Sequence, residues 1–100
     1  MQIFVDPLRN PKITQFDIIA RTFKDFIKAI DSNDNIDFIS LDYEIDKKAN
    51  ALDALWYLKE NNIRIPFINI HTTNNIARSH MRKVIKKYFP EAIITFIKEV

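Results

Sequence analysis

The chain has 100 residues, 47% of them hydrophobic and 28% charged, with a formal net charge of +2. This composition predicts one globular domain over residues 1–100 rather than a disordered chain. With no cysteine and no glycine, the sequence excludes disulfides, thiolate catalysis, cysteine-ligated zinc and the glycine-rich phosphate loops of P-loop and dinucleotide-binding proteins.

The first apolar run, Ile3-Phe4-Val5, stops at Asp6-Pro7 and predicts a buried strand. It is too short for a signal peptide. No run approaches the roughly 20 residues that span a bilayer, so the expectation is a cytoplasmic protein with no membrane contact. Residues 7–15, with Pro7, Asn10 and Pro11, read as a loop, and Phe16–Ala20 as a second strand. Thr22 opens a helix, with Asp25 placed for a weak capping box and Phe23, Phe26, Ile27 and Ile30 on one face. Ile36–Leu41 is the third strand, followed by Asp42 and a polar loop. A helix over 49–60 ends at Asn61-Asn62. Ile65–Ile70 is the fourth strand, with Pro66 near its start. A third helix spans 76–88, and Ala92–Ile97 is the last strand. Without glycine, backbone positions needing φ > 0 fall to asparagine, and Asn33, Asn35, Asn61 and Asn62 stand where such turns are expected.

The order β-β-α-β-α-β-α-β predicts right-handed crossovers and a mostly parallel sheet. The fold class is a small three-layer α/β sheet whose shortened first crossover leaves one face thinly covered. In such a sheet, ligands bind beyond the carboxyl ends of the strands at the switch point. Asp6, Asp42 and His71-Thr72 end the first, third and fourth strands, with Glu44 just beyond Asp42, Arg9 in the first loop and Arg78 in the first turn of the third helix. Carboxylates, an imidazole, a hydroxyl and guanidiniums suit a phosphate together with a hard cation such as Mg²⁺ or Mn²⁺. Each residue also has a plainer reading. The acids can cap turns, His71 can be a hydrogen-bonded core residue, Thr72 and Asn74 can be turn and capping residues, and Arg9 can pair with an acid.

Phe4-Val5-Asp6-Pro7-Leu8-Arg9-Asn10-Pro11, Ile39-Ser40-Leu41-Asp42-Tyr43-Glu44 and Ile70-His71-Thr72-Thr73-Asn74, continuing to Arg78 and Met81, occur in order on matching strand ends. Together they resemble the motifs of the cyclic-phosphate-processing receiver domains, and Asp53 and Tyr57 fall where that family carries an Asp and a Trp. The resemblance implies a receiver-like (flavodoxin-like) fold and action on cyclic phosphates of nucleotides or RNA ends. It carries over Asp6, Asp42, His71, Asn74 and Arg78 as site residues, with Arg9 in support. On this reading Asp6, Asp42 and Glu44 hold a divalent cation, and Arg9, Thr72, Asn74 and Arg78 bind the substrate. Asp42 and His71 are catalytic, His71 protonating the leaving oxygen or orienting a water.

The departures are specific. Pro7 replaces the second acid of the opening motif, and Tyr43-Glu44 replaces the His-Asp pair that follows the position of Asp42 in the second motif. A catalytically degenerate module that binds a protein, nucleotide or nucleic acid is therefore the alternative. An ordinary phosphoacceptor role for Asp42 ranks last, because Lys98 is a poor stand-in for the lysine expected after the last strand. Residues 61–100 carry seven basic and two acidic side chains. Arg78, Arg82, Lys83, Lys86 and Lys87 crowd the helix over 76–88. That run suits a solvated face or contact with nucleic acid or an acidic protein.

Overall fold

The computed structural model describes residues 1–100. Its elements are β1 (Gln2–Val5), β2 (Ile18–Ala20), α1 (Phe23–Asp31), β3 (Phe38–Leu41), α2 (Ala51–Glu60), β4 (Phe67–Ile70), α3 (Asn75–Tyr88) and β5 (Ile93–Thr95). All five strands are parallel, in the order β2-β1-β3-β4-β5. This is the flavodoxin-like order, with its switch point between β1 and β3.

The order also decides where the helices go. The chain steps one way from β1 to β2 and the other way through β3, β4 and β5. Right-handed crossovers therefore put α1, α2 and α3 on one face, and the helix-free connection over residues 6–17 on the other. The core agrees. Ile3, Val5, Ile39, Leu41, Ile68 and Ile70, alternating along the three central strands, form one buried cluster with Phe26, Leu55, Leu58, Met81 and Ile85 from the helices. On the opposite face the expected third layer is irregular chain rather than helix. Phe16 lies against Phe4 and Phe38, at ring separations of 5.2 and 5.7 Å. The backbone of Ile13 and Thr14 pairs with Val100. Phe67, Ile93, Phe96 and Ile97 stay exposed.

β2, β3 and β4 start later than the apolar runs suggest and β5 is trimmed at both ends, and side chains explain two cases. The Asp17 carboxylate accepts the Gln2 N–H (2.7 Å), a ladder position that backbone would otherwise fill. At the other edge, the Asn69 amide captures both backbone groups of Ile97 (2.8 Å each), so β5 leaves the ladder after Thr95. Helix starts follow the polar residues. Thr22 caps α1 through the Asp25 N–H. The full reciprocal capping box is at α2, where Asn50 and Asp53 bond each other's backbone. Asp53 is thereby a capping residue, and the Tyr57 hydroxyl reaches Asp31 (2.6 Å).

Of the four asparagines expected at left-handed positions, only Asn62 takes one, with φ of 55°. Asn33 and Asn61 instead donate side-chain hydrogen bonds to carbonyls at the ends of α1 and α2. An Asn62→Ala variant should lose about 1 kcal/mol, because alanine tolerates this region worse than asparagine does. Asn62→Gly should lose none. Thermal unfolding should show a Tm drop of roughly 4–8 °C for the alanine variant alone.

Candidate functional site

The carboxyl ends of β1, β3 and β4 bring Asp6, Asp42 and His71 together, with one ligand atom from each within 4.8 Å of the others. Asp6 is 1% exposed and its carboxylate is fully used. Oδ1 accepts the N–H groups of Leu8 (2.9 Å) and Arg9 (2.8 Å); Oδ2 accepts Arg9 Nε (3.1 Å) and His71 Nε2 (3.0 Å). Burial alone would raise its pKa. The two backbone donors and His71 outweigh that and hold the carboxyl below its ordinary value.

The histidine sits in a buried polar chain that crosses the helix-free face. Asn69 fixes its direction. Its Oδ1 accepts the Ile97 N–H and the Thr95 hydroxyl (2.6 Å), so Nδ2 must donate, to the Ile97 carbonyl and to Ser40 Oγ (2.9 Å). Ser40 then turns its own proton to His71 Nδ1 (2.7 Å). The ring proton is left on Nε2, aimed at Asp6. The ring is 1% exposed and stacks on Phe4 at 4.7 Å, within 3° of parallel. Burial, the largest influence, lowers its pKa against the opposing pull of Asp6 and Asp42, so His71 is neutral near pH 7.

Arg9 joins these groups to solvent. Its guanidinium contacts Asp6 through Nε, the His71 carbonyl through Nη2 (3.3 Å) and Asp42 Oδ1 through Nη2 (3.6 Å). It therefore lies across the ends of all three central strands. Asp42 is different from Asp6. One oxygen accepts the Tyr43 N–H (2.8 Å), the other has no protein donor, and its side chain is 18% exposed. Partial burial first, and then the charge of Asp6, raise its pKa.

An open cleft of about 410 Å³ sits above this centre, lined by Arg9, Asp42, Tyr43, Glu44, Thr72, Thr73 and Asn74. A second, of about 420 Å³, lies on the other side of Arg9 and includes Lys12 and Lys98. The structure thus brings Arg9, Asp42, Glu44, Thr72 and Asn74 to one cavity. Thr72 and Asn74 also have the turn and capping roles their types suit: Thr72 Oγ1 accepts the Asn74 N–H, and Asn74 caps α3 through Ile76 and Ala77. Arg78 is left outside. It bends back onto Asn75 of its own helix. His71 does not line this cleft; it lines the second one beside Arg9, with both ring nitrogens engaged inside the protein.

The metal expectation meets the same limit. Asp6, Asp42 and Glu44 do not fit a three-carboxylate cation site as arranged. Both Asp6 oxygens already accept two hydrogen bonds, a guanidinium bridges the two aspartates, and Pro7 contributes no carboxylate. Asp42 and Glu44 alone have open oxygens.

Residue type at single positions did not single out four contributors. Ser40 and Asn69 are polar residues inside apolar strands, which was a readable signal. Arg21 pins the loop by donating to the carbonyls of Asp6 (3.2 Å) and Arg9 and to the Asn10 side chain. Asp46 accepts the N–H groups of Phe23, Lys48 and Ala49. Neither of these last two had a sequence signal.

One protein-family model, described as the cyclic-phosphate processing receiver domain, matches residues 1–87. No curated protein and no solved structure gives a significant match.

The shifted groups make stability depend on pH. The unfolded chain protonates His71 near its ordinary value of 6.5, and the folded chain resists it, so stability should fall as pH drops below about 6.5. Asp6, with its depressed pKa, adds a further loss at more acid pH. Chemical denaturation between pH 8 and 5 should show the first slope in the wild type and not in His71→Gln. Asp42 works in the opposite sense, because its charge is disfavoured in the folded state. Asp42→Asn should therefore stabilise the protein at pH 7 by about 1 kcal/mol.

Proposed function

Since the chain belongs to the family of cyclic-phosphate processing receiver domains, we propose that the cleft over Arg9 and Asp42 binds a cyclic phosphate, on a nucleotide or an RNA end, and hydrolyses it to a monoester. The observation that carries this reading is the pairing, in one open cleft, of a guanidinium with a carboxylate that has a free oxygen and a raised pKa.

Arg9 supplies directional donors for the phosphate oxygens. The Thr72 hydroxyl and the Asn74 amide border the same space. A water attacks phosphorus and gives a proton to Asp42. One of the two ester P–O bonds breaks, and the departing ribose oxygen takes up that proton, so the ring opens with net addition of one water. A general acid–base group contributes roughly 10²–10⁴-fold, most when its pKa moves toward the working pH, the direction of the Asp42 shift. Asp6 and His71 are positioning residues in this scheme. They hold the Arg9 side chain and the loop that carries it.

A second contact applies if the substrate is an RNA end. Arg82, Lys83, Lys86 and Lys87 are exposed on α3 and none is in an ion pair. The helix starts beside the cleft at Asn75 and leads away from it. Phosphate contacts along such a helix are salt-dependent and blind to sequence.

The test is a screen of 2′,3′-cyclic and 3′,5′-cyclic nucleotides, and of RNA ending in a cyclic phosphate, for monoester product. Asp42→Asn should lower kcat by at least about 10² while keeping the protein folded. Lys83→Glu with Lys87→Glu should leave cyclic mononucleotides untouched and weaken RNA in a salt-dependent way. Binding of a cyclic phosphate with no turnover of any substrate would replace the enzyme by the non-catalytic binding module.

A further inference from the structure

We infer that Arg9 is the built-in cation of this site, taking the place between Asp6 and Asp42 that a divalent ion would otherwise need. As a phosphate site, the cleft then works without a bound metal. This rests on the proposed function only for its phosphate part; exclusion of the cation is a property of the chain alone.

Three observations converge. The guanidinium touches both carboxylates, with Nε 3.1 Å from Asp6 and Nη2 3.6 Å from Asp42. It is anchored rather than passing through. Its own N–H bonds Asp6, Nη2 bonds the His71 carbonyl, and Arg21 holds the Arg9 carbonyl from the far side. The competing ligands are also unavailable: Asp6 has no oxygen free, both His71 nitrogens are bonded, and position 7 is proline. A Mg²⁺ ion needs near-ideal octahedral oxygen geometry. To be held here it would have to expel the guanidinium and strip Asp6 of two charge-assisted donors. The exposed side of Arg9 still faces the cleft, where its remaining N–H groups are open to an anion.

Titration with Mn²⁺ alone, by calorimetry, decides the matter. The wild type should show no saturable binding in the low millimolar range. Arg9→Gln keeps much of the side-chain volume but removes the charge, and should bind Mn²⁺ at least about tenfold more tightly, as expected for removing one like charge at contact range. Adding Asp42→Asn to that variant should abolish the gain. Circular dichroism establishes that each variant is folded, and Arg9→Ala serves if the glutamine variant is not. Saturable binding by the wild type that Arg9→Gln leaves unchanged overturns the inference. So does the absence of any gain in both Arg9 variants.

The second arm uses inorganic phosphate in the presence of a chelator. Binding that survives the chelator and is lost in Arg9→Gln supports the inference; binding that appears only with added Mn²⁺ overturns it. A wild type that binds no phosphate under either condition counts against the proposed function, and the Mn²⁺ titration still decides whether Arg9 excludes the cation.

Discussion

A buried carboxylate must be compensated, and at Asp6 the compensation organises the end of the sheet. Four donors from three places converge on it: the backbone of the next turn, the Arg9 side chain and the His71 ring. Removing any one leaves a buried charge short of a partner, which costs more than the bond itself contributes. The turn after β1, the rotamer of Arg9 and the tautomer of His71 are therefore one arrangement. The cleft inherits its shape from that arrangement, because Arg9 is both a ligand of Asp6 and a wall of the cavity.

The same arrangement reaches the edge of the sheet. From Asp6 the hydrogen bonds run through His71, Ser40 and Asn69 to Thr95 and the backbone of Ile97. Every member is satisfied, as a buried polar network requires. It lies on the face that carries no helix, where Phe4, Phe16 and Phe38 provide the apolar cover. The helix-covered face has the opposite character. Its strand residues are aliphatic and buried against α1, α2 and α3. One face of the sheet supplies cohesion, and the other holds the polar groups that orient the site. Removing the His71 ring would consequently disturb the fold as well as the site, leaving Ser40 and Asp6 each one partner short. Asp42, with one oxygen free, is the cleaner position for probing chemistry.

Much of this was legible in the sequence. Alternation of apolar runs with amphipathic segments gives the element order, and the handedness of crossovers places Asp6, Asp42 and His71 at one end of the sheet. What stayed hidden had physical reasons. The ends of β2 and β5 depend on side-chain amide and carboxylate groups, Asp17 and Asn69, replacing backbone partners. That is a tertiary event no local pattern encodes. Arg78 and Arg9 look alike in sequence as basic residues near strand ends, but only Arg9 has a buried acid three residues away to direct it inward; Arg78 finds Asn75 on its own helix first. For Ser40 and Asn69 a signal existed, since a polar residue between two buried aliphatics on a central strand needs a partner across the sheet. Ser40 finds that partner in the His71 imidazole, and Asn69 reaches it through Ser40.

Pro7 and Arg9 are best understood together. A second acid at position 7 would place another negative charge beside Asp6 and Asp42, and the favourable resident for such a site is a divalent cation. With proline there, the negative charge falls by one. The ring fixes φ and contributes no N–H, so the following donors, Leu8 and Arg9, are those that close on Asp6. That turn brings the Arg9 side chain back over the strand ends, where one positive charge meets two carboxylates, of which Asp42 is the less readily ionised. The lost acid and the inward guanidinium thus belong to one loop, and Arg9 itself is part of the motif shared with the family. The loop is fixed from outside by Arg21, whose guanidinium holds the carbonyls of Asp6 and Arg9. The departure from the family pattern at position 7 lowers the negative charge beside Asp6 and Asp42 and leaves Arg9 as the positive charge in contact with both.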